Sequence, residues 1–199
     1  MGLELHVFVL LDSRGPARET LRREGLVETY ERAHPGQGTA NVCYAFDNAF
    51  VELLWIEDES DARHPRTART RLWERSHHGC PFGICWRGEV SFETWDYHPQ
   101  YLPQERAISV ATLSDDPAQP MLFAALGKAP STWPEDRQRG LQRASGFSKL
   151  ALHISAPHRV PELEELARGG VFTLSEGPWD ARIAFGEKTL SLAALRDPR

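Results

Sequence analysis

The sequence predicts a mixed α+β protein, and three observations carry that prediction. The first 58 residues read as strand, helix, strand, strand, strand, and the segment from residue 148 onward reads in the same order. The strands are short runs rich in Val, Phe, Tyr and Trp, punctuated by Gly, Pro, Asn and Asp. The chain, at 199 residues, is long enough to bury a sizeable core in one domain or two small ones. The expected organisation is a first module over 1–58, a connecting helix and middle strands over 59–127 that could form a degenerate second module, a linker over 128–147, and a C-terminal module over 148–199.

LELHVFVLL, from Leu3 to Leu11, is an apolar and β-branched run stopped by Asp12, Ser13, Gly15 and Pro16, and it reads as a strand. ARETLRREG suits a short helix, with Pro16 at its start and Gly25 past its end. LVETYERAH offers a weaker strand. NVCYAF and FVELLWIE, joined by Asp47 and Asn48, form an antiparallel hairpin. The charged stretch DESDARHPRTARTRLWERS reads as a loop leading into a helix over 67–76, with Leu72 and Trp73 as its buried contacts. FGICWR, AISVATLSD and PMLFAAL are further strands. The aromatic, proline-flanked stretch FETWDYHPQYLP either lines a cavity or covers the core. In the last segment PELEELARG has the acidic start and Gly-Gly stop of a helix, and three short strands follow it.

Composition excludes several functions. With 41% hydrophobic residues, 26% charged, a net charge of -5 and a pI near 5.9, the chain has no basic stripe for a phosphate backbone, so no nucleic acid partner is expected. No apolar run reaches the length of a membrane span, and the N-terminus lacks the features of a signal peptide. A cytoplasmic protein with no membrane partner is expected. Three cysteines, Cys43, Cys80 and Cys85, are too few for a disulfide framework and read as reduced thiols. His77, His78, Cys80 and Cys85 fit no standard zinc spacing.

The chemistry concentrates in the hairpin. Side chains alternate along a strand, so Glu52 has Leu54 and Ile56 on its own face and Val51, Leu53 and Trp55 on the other. A carboxylate there is either paired, hydrogen-bonded or cation-bound, or it sits at a solvated rim. His6 lies on an apolar strand, where a histidine serves either as a satisfied core residue or as a ligand. Aligning the first segment with the last places LELHVFV on LALHISA and AFVELLW on KTLSLAA, which superposes His6 on His153 and Glu52 on Ser191.

A βαβββ unit with His on its first strand and Glu on its last resembles the vicinal oxygen chelate superfamily of glyoxalase I, extradiol dioxygenases and bleomycin-resistance proteins. LELHVFVLLD together with HPGQGTANVCYAFDNAFVELLWIED resembles more specifically the glyoxalase-like domain proteins, with their hydrophobic-His first strand, H-x(n)-GT-x-N loop and strand ending in ELL. The resemblance implies repeated βαβββ modules curled into an open, barrel-like mixed sheet with helices outside. It implies a homodimer, a small-molecule substrate and a divalent metal ion (Fe, Mn, Ni or Zn) held by His6, Glu52 and His153. Ser191 at the fourth position departs from the carboxylate of glyoxalase I, whose usual base is then missing. Of the activities in the superfamily, a lyase, isomerase or dioxygenase acting on an oxygenated organic substrate is expected, with Glu52 and His34 catalytic and Asn41, Trp95, Tyr97 and Tyr101 binding substrate. Two alternatives stand beside it: a non-catalytic binding protein of the bleomycin-resistance type, and a structural protein in which His6 and Glu52 pair with each other. The module pairing is also open, because FGICWRG to MLFAAL could supply the second module and bring Cys85 to the site in place of His153.

Overall fold

The computed structural model describes residues 5–12, 15–124 and 149–196. The first module is β1 (Leu5–Leu11), α1 (Gly15–Arg23), β2 (Tyr30–His34), β3 (Thr39–Ala45) and β4 (Ala49–Ile56). Gly25, at φ 88, takes the left-handed conformation that ends the segment after α1. The hairpin closes where expected, with Phe46 N–H donating to the Ala49 carbonyl.

Three short helices follow, α2 (Glu59–Ala62), α3 (Pro65–Ala68) and α4 (Leu72–His77). The single helix expected over 67–76 is thus broken in two. The Thr70 hydroxyl donates to the Thr67 carbonyl at 2.7 Å and closes the first piece, and Arg71 takes a left-handed φ of 57 before α4 begins. The middle strands are β5 (Phe82–Trp86), β6 (Thr94–Tyr97), β7 (Ile108–Ala111) and β8 (Met121–Ala124), with a 3-10 turn at Thr112–Asp115. The C-terminal segment gives β9 (Ala151–Ala156), α5 (Pro161–Arg168), β10 (Thr173–Glu176), β11 (Asp180–Phe185) and β12 (Lys188–Ser191). The expected linker over 128–147 lies outside the described residues. No described helix is long and apolar enough to cross a membrane.

The α+β class holds, and the described residues form two mixed sheets and no closed barrel. Eight strands join in the order β2-β3-β4-β1-β5-β8-β7-β6, and four more in the order β10-β9-β11-β12. Read outward from its centre, the large sheet runs β1, β4, β3, β2 on one side and β5, β8, β7, β6 on the other. In both halves the first strand pairs parallel with the last, and every other pairing, including β1 with β5, is antiparallel. The middle strands therefore complete the sheet that the first module begins, which is the second of the two pairings left open by the sequence.

The alignment of the first segment with the last matches element order but not topology. β4 lies beside β1, whereas β12 pairs only with β11, and β10 takes the parallel place next to β9. The reason is packing. Leu152, Ile154, Ala181, Ile183 and Phe185 join the core formed by Val7, Val9, Val42, Val51 and Leu53, so the small sheet covers the back of the large one. Asn48 fastens the two layers by donating to the Leu150 carbonyl at 2.8 Å and accepting from its N–H at 2.9 Å.

Candidate functional site

Strand alternation sends Leu5, Val7, Val9 and Leu11 into the shared core and leaves His6, Phe8 and Leu10 on the opposite face of the large sheet. The pairing registers carry this face across the strands. One row runs Tyr30, Cys43, Glu52, Phe8, Gly83, Met121, and its neighbour includes Phe50, His6, Cys85 and Phe123. Glu52 and His6 are thus offset by one pair on adjacent parallel strands. Their side chains meet: His6 Nε2 lies 2.6 Å from Glu52 Oε2. Asn41 reaches over from β3 and donates its amide to Glu52 Oε1.

Glu52 is 6% exposed and Asn41 4%, while the His6 side chain keeps 28% of its surface. The floor is buried and the imidazole stands above it. Burial pushes the Glu52 carboxyl upward, but the His6 hydrogen bond, the His6 and His34 rings and the Asn41 amide outweigh it, so the group lies below the usual carboxylate range. Because a carboxylate only accepts, His6 Nε2 carries the hydrogen of that bond.

The surround is aromatic. The His6 ring meets Phe123 edge-on at 5.4 Å and Phe50 at 6.3 Å between centroids, and Tyr30 lies 6.4 Å from Phe50. Phe8 stacks on Phe123 at 5.7 Å. Gly83 makes this possible, because a Cβ there would come within 1.9 Å of the Phe8 ring. The far end of the face is filled by Leu10, Leu54, Leu72, Tyr97, Val110 and Met121 as a second apolar cluster.

His34 sits at the end of β2, under the Tyr101 ring at 4.7 Å between centroids. Its Nδ1 is 2.9 Å from Thr39 Oγ1, which also accepts from the Gln37 amide at 2.7 Å. The arrangement that leaves no buried hydroxyl hydrogen unpaired has Thr39 donating to Nδ1, which places the ring hydrogen on Nε2. Burial holds this imidazole below its usual range, with Arg32 and His6 adding to the effect against the Glu52 charge.

The expected site residues therefore divide. His6, Glu52 and Asn41 are in contact, and His34 and Tyr101 adjoin each other at the β2 end of the same face. Trp95 and Tyr97 lie on the edge strand β6, in the second apolar cluster, with Arg69 over Trp95 at 4.3 Å.

His153 is a correction. Leu152 and Ile154 face the core, so His153 points away from it on the second sheet, two layers from His6. Both of its ring nitrogens are engaged, by Thr173 Oγ1 at 2.8 Å and Ser175 Oγ at 2.9 Å. Ser191, likewise on the small sheet, donates to Asp180.

In their place, β5 and β8 present Gly83, Cys85, Met121 and Phe123 to the face. Burial pushes the Cys85 thiol up to about 12, which keeps it protonated near neutrality. Among the described residues no three His, Cys, Asp or Glu side chains converge where a metal ion could sit. The described residues do not fit the three-ligand set implied by the superfamily.

Residues 6–87 match the glyoxalase-like domain family. The match starts at His6 and runs past β5, taking in His34, Asn41 and Glu52, and is consistent with the vicinal oxygen chelate superfamily. No curated protein matches the chain. A crystal structure of a hypothetical protein from Staphylococcus aureus is similar over 96% of this chain and 84% of that one, at 12% identity and a TM-score of 0.48. Sequence reasoning singled out His6, Glu52 and Asn41, which the structure brings into contact. It missed Phe50, Phe123 and Gly83, whose place on the same face depends on strand pairings between distant segments.

Proposed function

We propose that the glyoxalase-like face binds a small organic molecule without turnover, in the manner expected of a sequestering or carrier protein. One observation carries this reading: a partly exposed imidazole over a buried carboxylate and amide, walled by Phe50, Phe123 and Tyr30, with no third ligating side chain from the described part of the facing half. Apolar walls supply the affinity and the few polar groups set orientation.

A metal-dependent lyase or dioxygenase draws on the contact between His6 and Glu52, the two positions the superfamily uses for ligands. A metal ion there would have to part that pair and complete its shell from substrate and water. The two readings separate on purified protein stripped of metal. Thermal unfolding is followed with Mn(II), Fe(II), Ni(II) or Zn(II), and separately with a library of small aromatic compounds, since whatever binds the folded state raises its melting temperature. Stabilisation by organic ligands alone, with shifts in the resonances of His6, Phe50 and Phe123, supports the binding protein. A metal-induced shift that His6→Ala and Glu52→Ala both abolish overturns it in favour of the enzyme.

A further inference from the structure

The hydrogen-bonding balance of this face says what kind of ligand suits it. Asn41 is nine-tenths buried or more, its amide hydrogens go to Glu52 and towards Cys43, and its carbonyl oxygen Oδ1 has no partner. Burying an amide oxygen with no hydrogen-bond donor is unfavourable, so such an atom is normally satisfied by a water or a ligand. Glu52 takes one hydrogen from His6 and one from Asn41, while a carboxylate offers about four lone-pair directions. The spare capacity at the floor is therefore on the acceptor side, next to a carboxylate.

We propose that the ligand is a primary amine in its ammonium form, carried on an apolar or aromatic body. This rests on the binding reading above and narrows it. An ammonium has three hydrogens to distribute among these acceptors, and its charge complements Glu52. The rings of Phe50, Phe123 and Tyr30 favour a cation over an anion and accept the apolar body. A dicarbonyl or carboxylate ligand would set its own lone pairs against those of Asn41 and Glu52. Arg32, which lies over the Tyr101 ring at 5.0 Å, is the neighbouring positive charge and acts against the proposal from the His34 side.

Benzylamine, benzyl alcohol and benzoate share one ring and differ only in the head group. Binding of each to the metal-stripped protein is measured by titration calorimetry and mapped by the resonances of His6, Phe50 and Phe123. Benzylamine is expected to bind about tenfold or more tightly than benzyl alcohol, with benzoate weakest, a ratio that a charge-assisted hydrogen bond readily supplies. Asn41→Ala and Glu52→Gln are each expected to erase that preference. Equal binding of all three, or tighter binding of benzoate, overturns the amine while leaving a small-molecule site. An Asn41→Ala protein that folds and keeps the full preference also overturns it, because a water then fills the place assigned to the amine. If none of the three perturbs this face, the inference and the binding reading fall together. Should either variant fail to fold, the ranking on the wild-type protein decides.

Discussion

The two halves of the large sheet share strand order and pairing sense, yet they are used differently. The half built from β1 to β4 places His6, Glu52, Asn41 and His34 on its open face. The half built from β5 to β8 places Cys85, Met121, Phe123 and Val110 there, and closes much of it with Leu72 and Tyr97. The helix that crosses from β1 to β2 has no counterpart between β5 and β6 among the described residues. One half presents polar side chains on this face, and the other presents mostly apolar ones. On the binding reading proposed above, the first half is the floor of the site and the second its wall.

The strongest way to break this comparison is to remove what holds the second half in place. Arg75, 0% exposed, spreads its guanidinium over the carbonyls of Thr70, Cys80, Ser114, Asp116, Pro117 and Gln119, and so ties α4 to the turn that leads into β8. Burial lowers its affinity for a proton to a value of about 10, still far above neutrality, so the charge stays. Arg75→Ala removes one donor from each of six carbonyls, of which those of Asp116 and Pro117 keep a backbone N–H, and is expected to cost about 3–5 kcal/mol, measured by urea unfolding. A loss below about 1 kcal/mol would show that water replaces the guanidinium and that the wall does not depend on it.

Next in size is Glu52→Ala, expected to cost about 2–3 kcal/mol by leaving Asn41 and His6 without their shared acceptor. The milder Glu52→Gln exposes the pH dependence. The folded protein holds the Glu52 carboxyl below its ordinary range, so the folded state binds that proton less readily than the unfolded chain does. Its contribution is complete above the unfolded carboxylate value, about 4.3, and is lost as pH falls from there through the folded value. The stability gap between wild type and Glu52→Gln is therefore expected to be flat near neutrality and to shrink in acid. A gap that instead widened as pH fell would contradict the pairing with His6.

Gly83→Ala tests the seam where the halves meet. The new methyl would collide with the Phe8 ring, so Phe8 must leave its stack on Phe123, at a cost of about 1–3 kcal/mol. The aromatic wall beside His6 moves with it, and ring resonances of Phe123 are expected to shift while those of Tyr101 do not.

Much of the first half was legible in the sequence because its signals are local. Asp47 and Asn48 fix the hairpin, alternation sets Glu52 opposite Leu53, and the βαβββ order with His6 and Glu52 suffices for the family resemblance. The second half was not, since its role depends on β1 accepting β5 as a neighbour, a pairing that no short pattern encodes. His153 shows the same limit in reverse. LALHISA reads like LELHVFV, but the surrounding strands turn it to the far side of the core, and a match of elements could not reveal that the sheet order had changed. Arg75 gave no signal at all, because its partners are main-chain carbonyls, which every residue has.

The smallest effect is expected at the edge of the polar floor, and it bears on whether His34 takes part in chemistry. Thr39→Val removes the hydroxyl that bridges Gln37 and His34 and is expected to cost about 1 kcal/mol. With Thr39 present the ring hydrogen is on Nε2, which leaves Nδ1 bonded and unable to take a proton from a ligand. Nitrogen chemical shifts of the ring are expected to report the Nε2–H form in the wild type and a mixture of forms in the variant. If wild-type His34 instead carries its hydrogen on Nδ1, then Nε2 is a free base on this face beneath Tyr101, and the first half gains the proton acceptor that a catalytic reading requires.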